Sequence, residues 1–577
     1  MPNARRGAPL AVIPVLLLLL AACGEPPGEK EDARRAAPGG GQPEPGGTAV
    51  TAELHDLEAP MPVVYRSEMD GDLVDVMYMG LTRGAWRDGR LVFLTSIESP
   101  MALAWHWEYA REYPDSSALR YRMKSGLRWS DGKPITAHDV VWTFRAMKDQ
   151  RAASPRQEDL AALDSVVAEN DSTVLFRFRR RTPEMHFVSS FPVAPRHAYE
   201  GAGPAGLATH PAFSRPETLV VSGPFRVGQW VPDQQIVLER NPHFPVRPHL
   251  DRLVIRVIPD ATTRLVELQT GNVDMVKQIA FDAIPGLRRR APNLRFAPIE
   301  KRYWEYLAYN PRRGPPFDDP EVRRALGMAV DVPGAVRALG MEGFAVPAAG
   351  PYPPIFRDLY DPRAMRPLPF DPEGARRTLE RRGWTDADGD SVREKDGRRL
   401  RFTLLFNTGN QRRADFAQVL QRQWRAVGVD LRLQQLEFNT YQTRQINREF
   451  EVLLGSWAVN LSPDLSALFT PGSPFNIVSY ADTAAARLME AARAAPTARE
   501  ANPLWRRAAE EVVRDQPYTW LYHYDIVVGL APRLKGVRVD TFGAYQNTWE
   551  WWIPRAEQRG PAAGAAPADT PADTARR

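Results

Sequence analysis

Cysteine is nearly absent from the sequence, because Cys23 is the only one among 577 residues. A disulfide within the chain needs two cysteines, and structural zinc sites of the cysteine type need several, so both are excluded. The chain after Cys23 also lacks a thiol that could act as a nucleophile. Thiol catalysis is therefore excluded for the body of the protein.

Motifs that mark common catalytic sites are also missing. The sequence contains no G-x-S-x-G nucleophile elbow, no H-E-x-x-H zinc motif and no Walker phosphate loop. Its nine histidines are scattered and show no spacing typical of metal ligands. These absences do not exclude an enzyme, but no motif in the sequence indicates one. We expect neither an enzyme nor a cofactor.

Charge of one sign is not in large excess. The 75 lysine and arginine residues nearly balance the 70 aspartate and glutamate residues, for a formal net charge of +5. A nucleic-acid partner is not indicated, because such partners usually select a strongly basic surface. Apolar residues make up 43% and charged residues 25%, as in globular proteins, and 577 residues suffice for two or three lobes. No apolar run after Cys23 approaches the ~20 residues of a membrane span.

The first residues are typical of an exported protein. Two arginines precede an apolar run from Leu10 to Leu20, which is too short to cross a bilayer. Leu20-Ala-Ala-Cys-Gly then resembles the lipobox of bacterial lipoproteins, whose signal is cut before the cysteine. This resemblance implies a signal peptide at 1–22 and a lipid on Cys23 that anchors the protein to a membrane, facing the periplasm or the cell exterior. The alternatives are an ordinary cleaved signal and a short membrane anchor.

The two segments that flank the body are poor in large apolar residues. Residues 23–47 are rich in proline, glycine and glutamate, and residues 556–577 are rich in alanine and proline. Such compositions bury too little apolar surface to fold. We expect a flexible tether at 23–47 and a disordered tail at 556–577.

The body between them alternates strand-like and helix-like patterns. Helices are predicted where a capping residue or a proline precedes an amphipathic run, as at Thr136, Asp319 and Asp371. Strands are predicted in apolar runs, which lie at 175–179, 235–239, 252–258 and 401–406. Strands that alternate with helices over this length indicate an α/β protein rather than a sandwich or a bundle.

One stretch within the body is diagnostic. Residues 119–141 read LRYRMKSGLRWSDGKPITAHDVV, with Trp129 at a strand end, a Ser-Asp-Gly turn, and Thr136 and Asp139 capping a helix. This pattern closely resembles the signature of the family 5 extracellular solute-binding proteins, the oligopeptide-, dipeptide- and nickel-binding components of ABC importers. Further similar stretches lie at 222–230, 237–244, 316–326 and 516–522, so the resemblance covers roughly 48–553.

The resemblance implies a two-lobed fold of the periplasmic-binding-protein type (type II, cluster C). Crossing strands join the two lobes, and an extra subdomain is inserted in lobe I. We expect lobe I at 48–302 with the insert near 96–219, lobe II at 303–524, and a return to lobe I at 525–555. A ligand that contacts both lobes stabilises the closed form.

The function that the resemblance implies is capture of a short peptide between the lobes and delivery to an ABC permease and its ATPase, by a monomer. Two alternatives remain open on the same fold. One is a receptor for a nickel chelate, a sugar or a peptide-like antibiotic. The other is a sensor or chaperone lipoprotein that works without a transporter.

The ligand pocket departs from the family pattern at one position. Peptide-binding members have a W-x-x-D motif whose aspartate pairs with the free amino terminus of the ligand. The matching residues here begin at Trp457 and end at Asn460. An amide cannot neutralise an ammonium group, although its carbonyl can accept one hydrogen bond. Either the ligand differs or another acid, such as Asp464, has taken over.

Alignment with the family implies further pocket residues. Asp70 falls in a lobe I loop that faces the ligand in peptide binders and is a candidate replacement partner for a cation. Phe438 falls where the family often has a pocket tryptophan. The remaining candidates lie beside the motif, at the entry into lobe II or at a strand end: Ser456, Trp304, Tyr306, Tyr309, Asn310, Asn407 and Thr408.

The segment Asp386-Ala-Asp-Gly-Asp390 imitates the first half of a calcium-binding loop. Position six of that loop is Ser391 rather than glycine, and Gly397 stands where the bidentate glutamate belongs. A turn rich in aspartate and glycine is favoured over a calcium site.

Overall fold

A computed structural model describes residues 42–559 apart from 88, 89, 158 and 460, and leaves the side chains of residues 159, 301 and 302 undefined. The predicted signal peptide, Cys23 and most of the predicted tether and tail lie outside the described residues, as does Asn460. No helix within 42–559, leaving aside the four undescribed positions, is long and apolar enough to span a membrane.

The strands number nineteen in the described part of the chain. In chain order they are β1 Thr48–Glu53, β2 Arg83–Arg87, β3 Arg90–Leu94, β4 Ala104–Tyr109, β5 Ala118–Met123, β6 Leu163–Asn170, β7 Thr173–Phe178, β8 Phe225–Val231, β9 Gln235–Arg240, β10 Arg252–Val257, β11 Met275–Val276, β12 Arg295–Tyr309, β13 Ala345–Pro347, β14 Glu394–Lys395, β15 Arg398–Arg399, β16 Arg401–Asn407, β17 Asp430–Leu436, β18 Val452–Ala458 and β19 Tyr518–Leu530.

The α-helices of the same residues are interspersed with short 3-10 turns. In chain order they are α1 Glu68–Met77, α2 Ala137–Lys148, α3 Met185–Ser189, α4 Arg196–Tyr199, α5 Gly203–Gly206, α6 Ala261–Thr270, α7 Ala283–Arg290, α8 Pro320–Met328, α9 Val332–Ala338, α10 Pro372–Arg381, α11 Gln411–Arg425, α12 Phe438–Ile446, α13 Ser466–Phe469, α14 Thr483–Ala494 and α15 Ala498–Asp515.

One sheet runs through the whole body, in the order β17-β16-β18-β12-β19-β11-β1-β10-β9-β8, with β13 paired beside β19. We call lobe I the part built around β1 and β8–β11, and lobe II the part built around β16–β18. The long strands β12 and β19 are antiparallel, and their register shifts between Ile299 and Tyr303, where they pass from one lobe to the other. The two-lobed α/β fold predicted from the sequence is confirmed.

Lobe I contains a separate four-stranded antiparallel sheet in the order β4-β5-β7-β6. The diagnostic stretch lies here and acts as scaffold. Trp129 is fully buried, and Asp139 Oδ2 accepts the Thr136 N–H at 2.8 Å to close a capping box at the start of α2. This sheet spans 104–178, within the range where the resemblance places the inserted subdomain.

Lobe II has three layers. Side chains alternate across β12, so that Trp304 and Tyr306 enter one apolar core while Leu307 and Tyr309 enter another. The first core is covered by α14 and α15, and the second by α8, α10 and α11. Helices on both faces of the sheet leave its edges and strand ends as the surfaces open to a ligand.

The ends of the described chain are attached to the body. The Gly47 N–H donates to the Asp251 carboxylate at 3.0 Å, and the side-chain amide of Gln558 donates to the Pro45 carbonyl at 3.3 Å. The flexible tether expected up to residue 47 and the disordered tail expected from residue 556 thus each extend too far. Composition predicts poor burial but does not report hydrogen bonds to distant residues, and those bonds fix these positions.

Candidate functional site

The carboxyl ends of three lobe II strands lie at one edge of the sheet. Strand β16 is parallel to both β17 and β18. Asn407 and Leu436 end their strands side by side, and β18 continues beyond its pairing with β16 to Ala458. Ala458 pairs with Tyr303, the first lobe II residue of β12 after the crossing. This edge therefore faces lobe I. In open α/β sheets, ligands bind outside the carboxyl ends of the strands.

A buried charge cluster lies just behind that edge. Glu305 on β12 is fully buried, and its carboxylate accepts Arg413 Nε at 2.5 Å and an Nη of Arg412 at 3.0 Å. Arg413 also donates to Asn407 Oδ1 at 2.6 Å and to Ser456 Oγ at 2.8 Å. Among these residues one carboxylate faces two guanidinium groups. The cluster thus retains one excess positive charge next to the cleft.

Arg412 is the member of the cluster that reaches the crossing strands. Its guanidinium lies 4.1 Å from the ring centre of Tyr524, and Tyr524 stacks on Tyr303 at 5.4 Å. Burial alone lowers the pKa of Arg412, but the neighbouring Glu305 carboxylate more than offsets this and the pKa is raised. Arg412 therefore stays charged at every physiological pH. Stacked on Tyr524 and paired with Glu305, its guanidinium is fixed in position beside the crossing strands.

Aromatic side chains form the second feature of this edge. Trp457 stacks on Tyr306 with ring centres 6.0 Å apart and meets Phe475 edge-on at 6.1 Å. Phe438, at the start of α12 directly after β17, is 49% exposed, and Phe475 is 40% exposed. Large exposed aromatic rings at a strand edge are suited to cover an apolar part of a ligand. Phe475 escaped the sequence analysis because no motif surrounds it.

Asn407, Thr408 and Ser456 lie close together, and their side chains or backbone groups hold other protein groups. The Asn407 side chain accepts from Arg413 and donates to the Thr408 carbonyl at 2.7 Å, and the Thr408 N–H donates to the Leu436 carbonyl at 2.7 Å. They fix the loop that follows β16 and the orientation of Arg413.

Four of the residues expected at the entry into lobe II do not line the cleft. Trp304 and Tyr306 are fully buried in the lobe II core. Tyr309 and Asn310 lie six to seven residues beyond the crossing, about 20 Å along β12 at ~3.3 Å per residue. Tyr309 donates to or accepts from Thr519 at 2.8 Å, and Asn310 closes a loop at the far end of the lobe. The sequence predicted the strand, but it did not show that the strand runs away from the cleft toward Tyr309 and Asn310.

Asp70 has a structural role in lobe I. It is 1% exposed, and its two carboxylate oxygens accept the N–H groups of Glu58 at 2.9 Å and Ala59 at 3.1 Å. The expectation that Asp70 faces a ligand is thus not met, because both oxygens are used to hold the loop before α1. Alignment placed the residue near the cleft without showing which way its side chain turns.

The motif position Asn460 lies outside the described residues, but the described chain that follows it carries an acid, Asp464. Asp464 pairs with Arg493 at 3.5 Å and accepts the Ser466 N–H at 2.7 Å. Glu184 approaches from lobe I, and its pKa is raised by burial and, to a smaller degree, by the Asp464 charge. Carboxyl groups from both lobes thus approach each other here, together with Arg493, which pairs with Asp464.

A cavity of 850 Å³ has walls from both lobes. Trp86, Phe93, Glu184 and Phe187 line it from lobe I, and 356–359, 461–463 and 498–506 supply its lobe II wall. Its volume lies within the range of about 300–1,000 Å³ that is typical of small-molecule sites. A space bounded by both lobes is the arrangement in which a ligand can hold them together.

The acidic loop of lobe II is a tight turn. Asp386 accepts the N–H groups of Gly389 at 2.9 Å and Ser391 at 3.0 Å, and Asp390 pairs with Arg399. Carboxylate oxygens of Asp386, Asp388 and Glu394 can lie within 4.8 Å of one another. The hydrogen bonds match the turn that the sequence favoured.

Two lobes joined by crossing strands, with a cavity between them, define a two-lobed ligand-binding protein. The family model described as bacterial extracellular solute-binding proteins, family 5 Middle, matches residues 99–478. The chain belongs to this family, whose members are solute-binding proteins. It is extracytoplasmic, as that family is.

The chain is also similar to individual proteins and to solved structures of the same fold. The chain is 26% identical over 557 residues to the oligopeptide-binding protein AppA of Bacillus subtilis, covering 95% of this chain and 99% of that protein. The structure of that AppA in complex with a nonapeptide has a TM-score of 0.73 at 25% identity, covering 89% of this chain and all of AppA. NikZ from Campylobacter jejuni in complex with Ni(L-His) has a TM-score of 0.71 at 21% identity, covering 88% and 99% of the two chains.

Proposed function

We propose that this protein is a lipid-anchored receptor that captures a short peptide between its lobes and delivers it, as a monomer, to an ABC importer. Cys23 carries the anchor. The similarity to AppA, an oligopeptide-binding protein, supports the peptide as ligand class. No bond of the ligand is made or broken in this function.

The observation that carries the proposal is a free edge on strand β18. On one side β18 pairs with β12 along its whole length, from Val452 to Ala458. On the other side β16 pairs with it only at Val452 and Leu453, so Gly455–Ala458 have no strand partner there among the described residues. An extended peptide can add to such an edge through its main chain, whatever its side chains are.

The charges of the cleft favour a ligand with a free carboxylate. Arg412 adds a fixed positive charge at the crossing strands, and only one of the two arginines in its cluster is neutralised by Glu305. A carboxylate near Arg412 would gain a charge-assisted hydrogen bond in a site with little water. At the other part of the cleft, Glu184 and Asp464 supply negative charge for an amino terminus in place of the aspartate that Asn460 replaces.

Isothermal titration tests the ligand class. The full chain carrying Cys23→Ser, which removes the proposed lipid site, is titrated with tripeptides to nonapeptides, each as the free peptide, the N-acetyl form and the C-terminal amide. The proposal predicts binding of free peptides and at least about tenfold weaker binding of the amides, since one charge-assisted bond is lost. Binding of a nickel–histidine chelate or a sugar but of no peptide contradicts it.

The anchor is tested separately by fractionation. The wild-type chain is expected in the membrane fraction and to incorporate labelled fatty acid, whereas the Cys23→Ser variant is expected in the soluble fraction without label. Two signals or two acyl chains are needed for stable anchoring, so partial lipidation would leave part of the protein soluble. An unlabelled wild-type chain would contradict the anchor while leaving the receptor function standing.

A further inference from the structure

The strands of lobe I have one end at the crossing to lobe II and one end away from it. Strand β19 comes from the crossing and ends at Leu530, which pairs with Met275 at the start of β11 and with Arg295 at the start of β12. Strand β1 is parallel to β11 and to β10, and it pairs with β10 from Thr48↔Arg252 onward. The starts of these four strands therefore lie at the end of lobe I farthest from the cleft. We call it the distal end.

Arginine side chains collect at the distal end. Strand β9 ends there at Arg240, which pairs with Phe225 at the start of β8, and helix α7 ends in the three arginines 288–290 shortly before β12 begins. Arg559 is also there, since a Cβ on Gly271, directly after α6, would lie 3.5 Å from one of its Nη atoms. The exposed arginines of this end are Arg226, Arg247, those at 288–290, Arg555 and Arg559.

The acids of the distal end are mostly held by other groups of the protein. Asp251 pairs with Arg240, Glu239 with Arg252, Asp274 with Arg533 and Glu550 with Arg538. By contrast, no carboxylate in the described part of the chain forms an ion pair with the exposed arginines at 226, 247, 288–290, 555 and 559. Glu557 adds one exposed carboxylate, so positive charge remains in clear excess.

The chain that leads back to Cys23 leaves the body at the same end. The Gly46 N–H donates to the His249 carbonyl at 2.8 Å, and the Glu44 carboxylate accepts the Arg555 N–H. Residue 42 is nineteen positions after Cys23, and a fully extended chain of that length spans at most about 65 Å. A lipid on Cys23 therefore keeps the distal end, rather than lobe II, within reach of the membrane surface.

We propose that the distal end of lobe I binds the anionic lipid headgroups of the membrane that carries the anchor. Guanidinium groups match phosphate oxygens with two parallel hydrogen bonds, and basic side chains near an anionic bilayer are attracted by its negative surface potential. The inference rests on the anchoring part of the proposed function, because the lipid on Cys23 brings this end to the bilayer.

The contact would fix the direction in which the protein faces. An anchor at one residue limits the distance from the membrane but not the orientation of the body. With the distal end on the lipid, the cleft and lobe II face away from the membrane, toward arriving solute. Ion pairs at an exposed surface are weak and are screened by salt, so the contact is reversible. The tethered protein can leave it to meet a permease.

Sedimentation with lipid vesicles tests this surface. The full chain carrying Cys23→Ser, which lacks the proposed lipid site, is mixed with vesicles of phosphatidylcholine alone or with about one third phosphatidylglycerol. The readout is the ratio of the two binding constants, because contacts that do not depend on lipid charge contribute to both. We expect at least about hundredfold tighter binding to the anionic vesicles at low salt, and loss of this preference at high salt.

Replacement of the arginines at 288–290 identifies the face that binds. A chain with Arg288→Gln, Arg289→Gln and Arg290→Gln is expected to lower the ratio by at least about tenfold. The matched control carries the same change at 422, 425 and 432 of lobe II, which are exposed arginines without an ion pair among the described residues. The control changes the net charge equally and is expected to keep the wild-type ratio within about twofold.

Equal losses in the distal and the lobe II variants would show that net charge alone attracts the protein, and they overturn the inference. Equal binding of the wild-type body to both kinds of vesicle also overturns it. If the triple variant does not fold, as judged by circular dichroism, Arg226→Gln with Arg247→Gln carries the same expectation. Peptide titration and fatty-acid labelling of Cys23 test the proposed function independently, so its failure is distinguishable from failure of this surface.

Discussion

The carboxylate of Glu305 and the guanidinium of Arg413 are joined by a buried ion pair of 2.5 Å between crossing strand β12 and helix α11. Arg412, the preceding residue, pairs with the same carboxylate at 3.0 Å. The ion pair links helix α11, which follows the edge strand β16, to β12, the strand that connects the two lobes. Stability of lobe II and charge in the cleft therefore depend on the same side chain.

Loss of the Glu305 charge is expected to destabilise the protein strongly. Glu305→Gln leaves two buried guanidinium groups without their carboxylate, and removal of one partner of a buried pair costs about 3–5 kcal/mol. Urea denaturation followed by tryptophan fluorescence measures the loss. Glu373→Gln is the control, because Glu373 lies on a helix surface and its side chain is 67% exposed. A loss no larger than that of the control would show that the pair is not needed.

Arg412 is expected to act on the ligand carboxylate. Arg412→Gln should weaken binding of a free tripeptide by about ten- to a hundredfold, which is the value of one or two charge-assisted hydrogen bonds. The C-terminal amide of the same tripeptide should bind the variant and the wild type alike. Arg422→Gln, an exposed position on the same helix, is the control. Equal losses for the acid and the amide would assign Arg412 a structural role.

Asp70 is expected to matter for stability and not for the ligand. Asp70→Ala leaves the N–H groups of Glu58 and Ala59 without their acceptor, which costs about 1–3 kcal/mol of unfolding free energy. The affinity for a tripeptide should stay within twofold of the wild-type value, a difference of about 0.4 kcal/mol. Thermal denaturation and titration of the same preparation provide both values. A large loss of affinity at unchanged stability would show that Asp70 contacts the ligand.

The stability of lobe I is expected to fall as the pH rises from about 4 to about 7. Lys277 lies among the carboxylates of Glu53, Glu68 and Asp72, and burial raises the pKa of Asp72 to about 7 although Lys277 opposes it. In the unfolded chain an aspartate has a pKa of about 3.9, so over this window the folded state binds more protons than the unfolded state. Each proton held in this way stabilises the fold at low pH, and the stabilisation is lost on ionisation.

Asp72→Asn removes one of these ionisations. Between about pH 4.5 and pH 7.5 the free energy of unfolding should fall in both proteins, but by about 2–4 kcal/mol less in the Asp72→Asn variant than in the wild type. This difference follows from ~1.4 kcal/mol per pKa unit. Asp171→Asn is the control, because Asp171 is 85% exposed. Denaturant melts at a series of pH values give the slopes. Parallel slopes for Asp72→Asn and the wild type would contradict the raised pKa.

Local sequence patterns were enough to predict much of the fold. The candidate site could not be predicted in the same way, because it depends on contacts between residues that are far apart in the sequence. The Thr136–Asp139 cap and the buried Trp129 followed from a contiguous stretch. Glu305 and Arg413 are 108 positions apart, so their pairing depends on how β12 and α11 pack. The sequence predicts that Tyr309 lies on the strand that enters lobe II, but it does not show that this strand carries Tyr309 away from the cleft.

Hydrogen exchange on strand β18 tests the central claim most directly. The full chain with Cys23→Ser is exchanged alone and with a saturating free tripeptide, and the backbone amides of residues 455–458 are followed by mass spectrometry. Main-chain pairing of a bound peptide with the free edge predicts slower exchange at those of these amides that point away from β12. Tight peptide binding without protection of 455–458 would contradict the strand-addition account, and absence of peptide binding would contradict the proposed function.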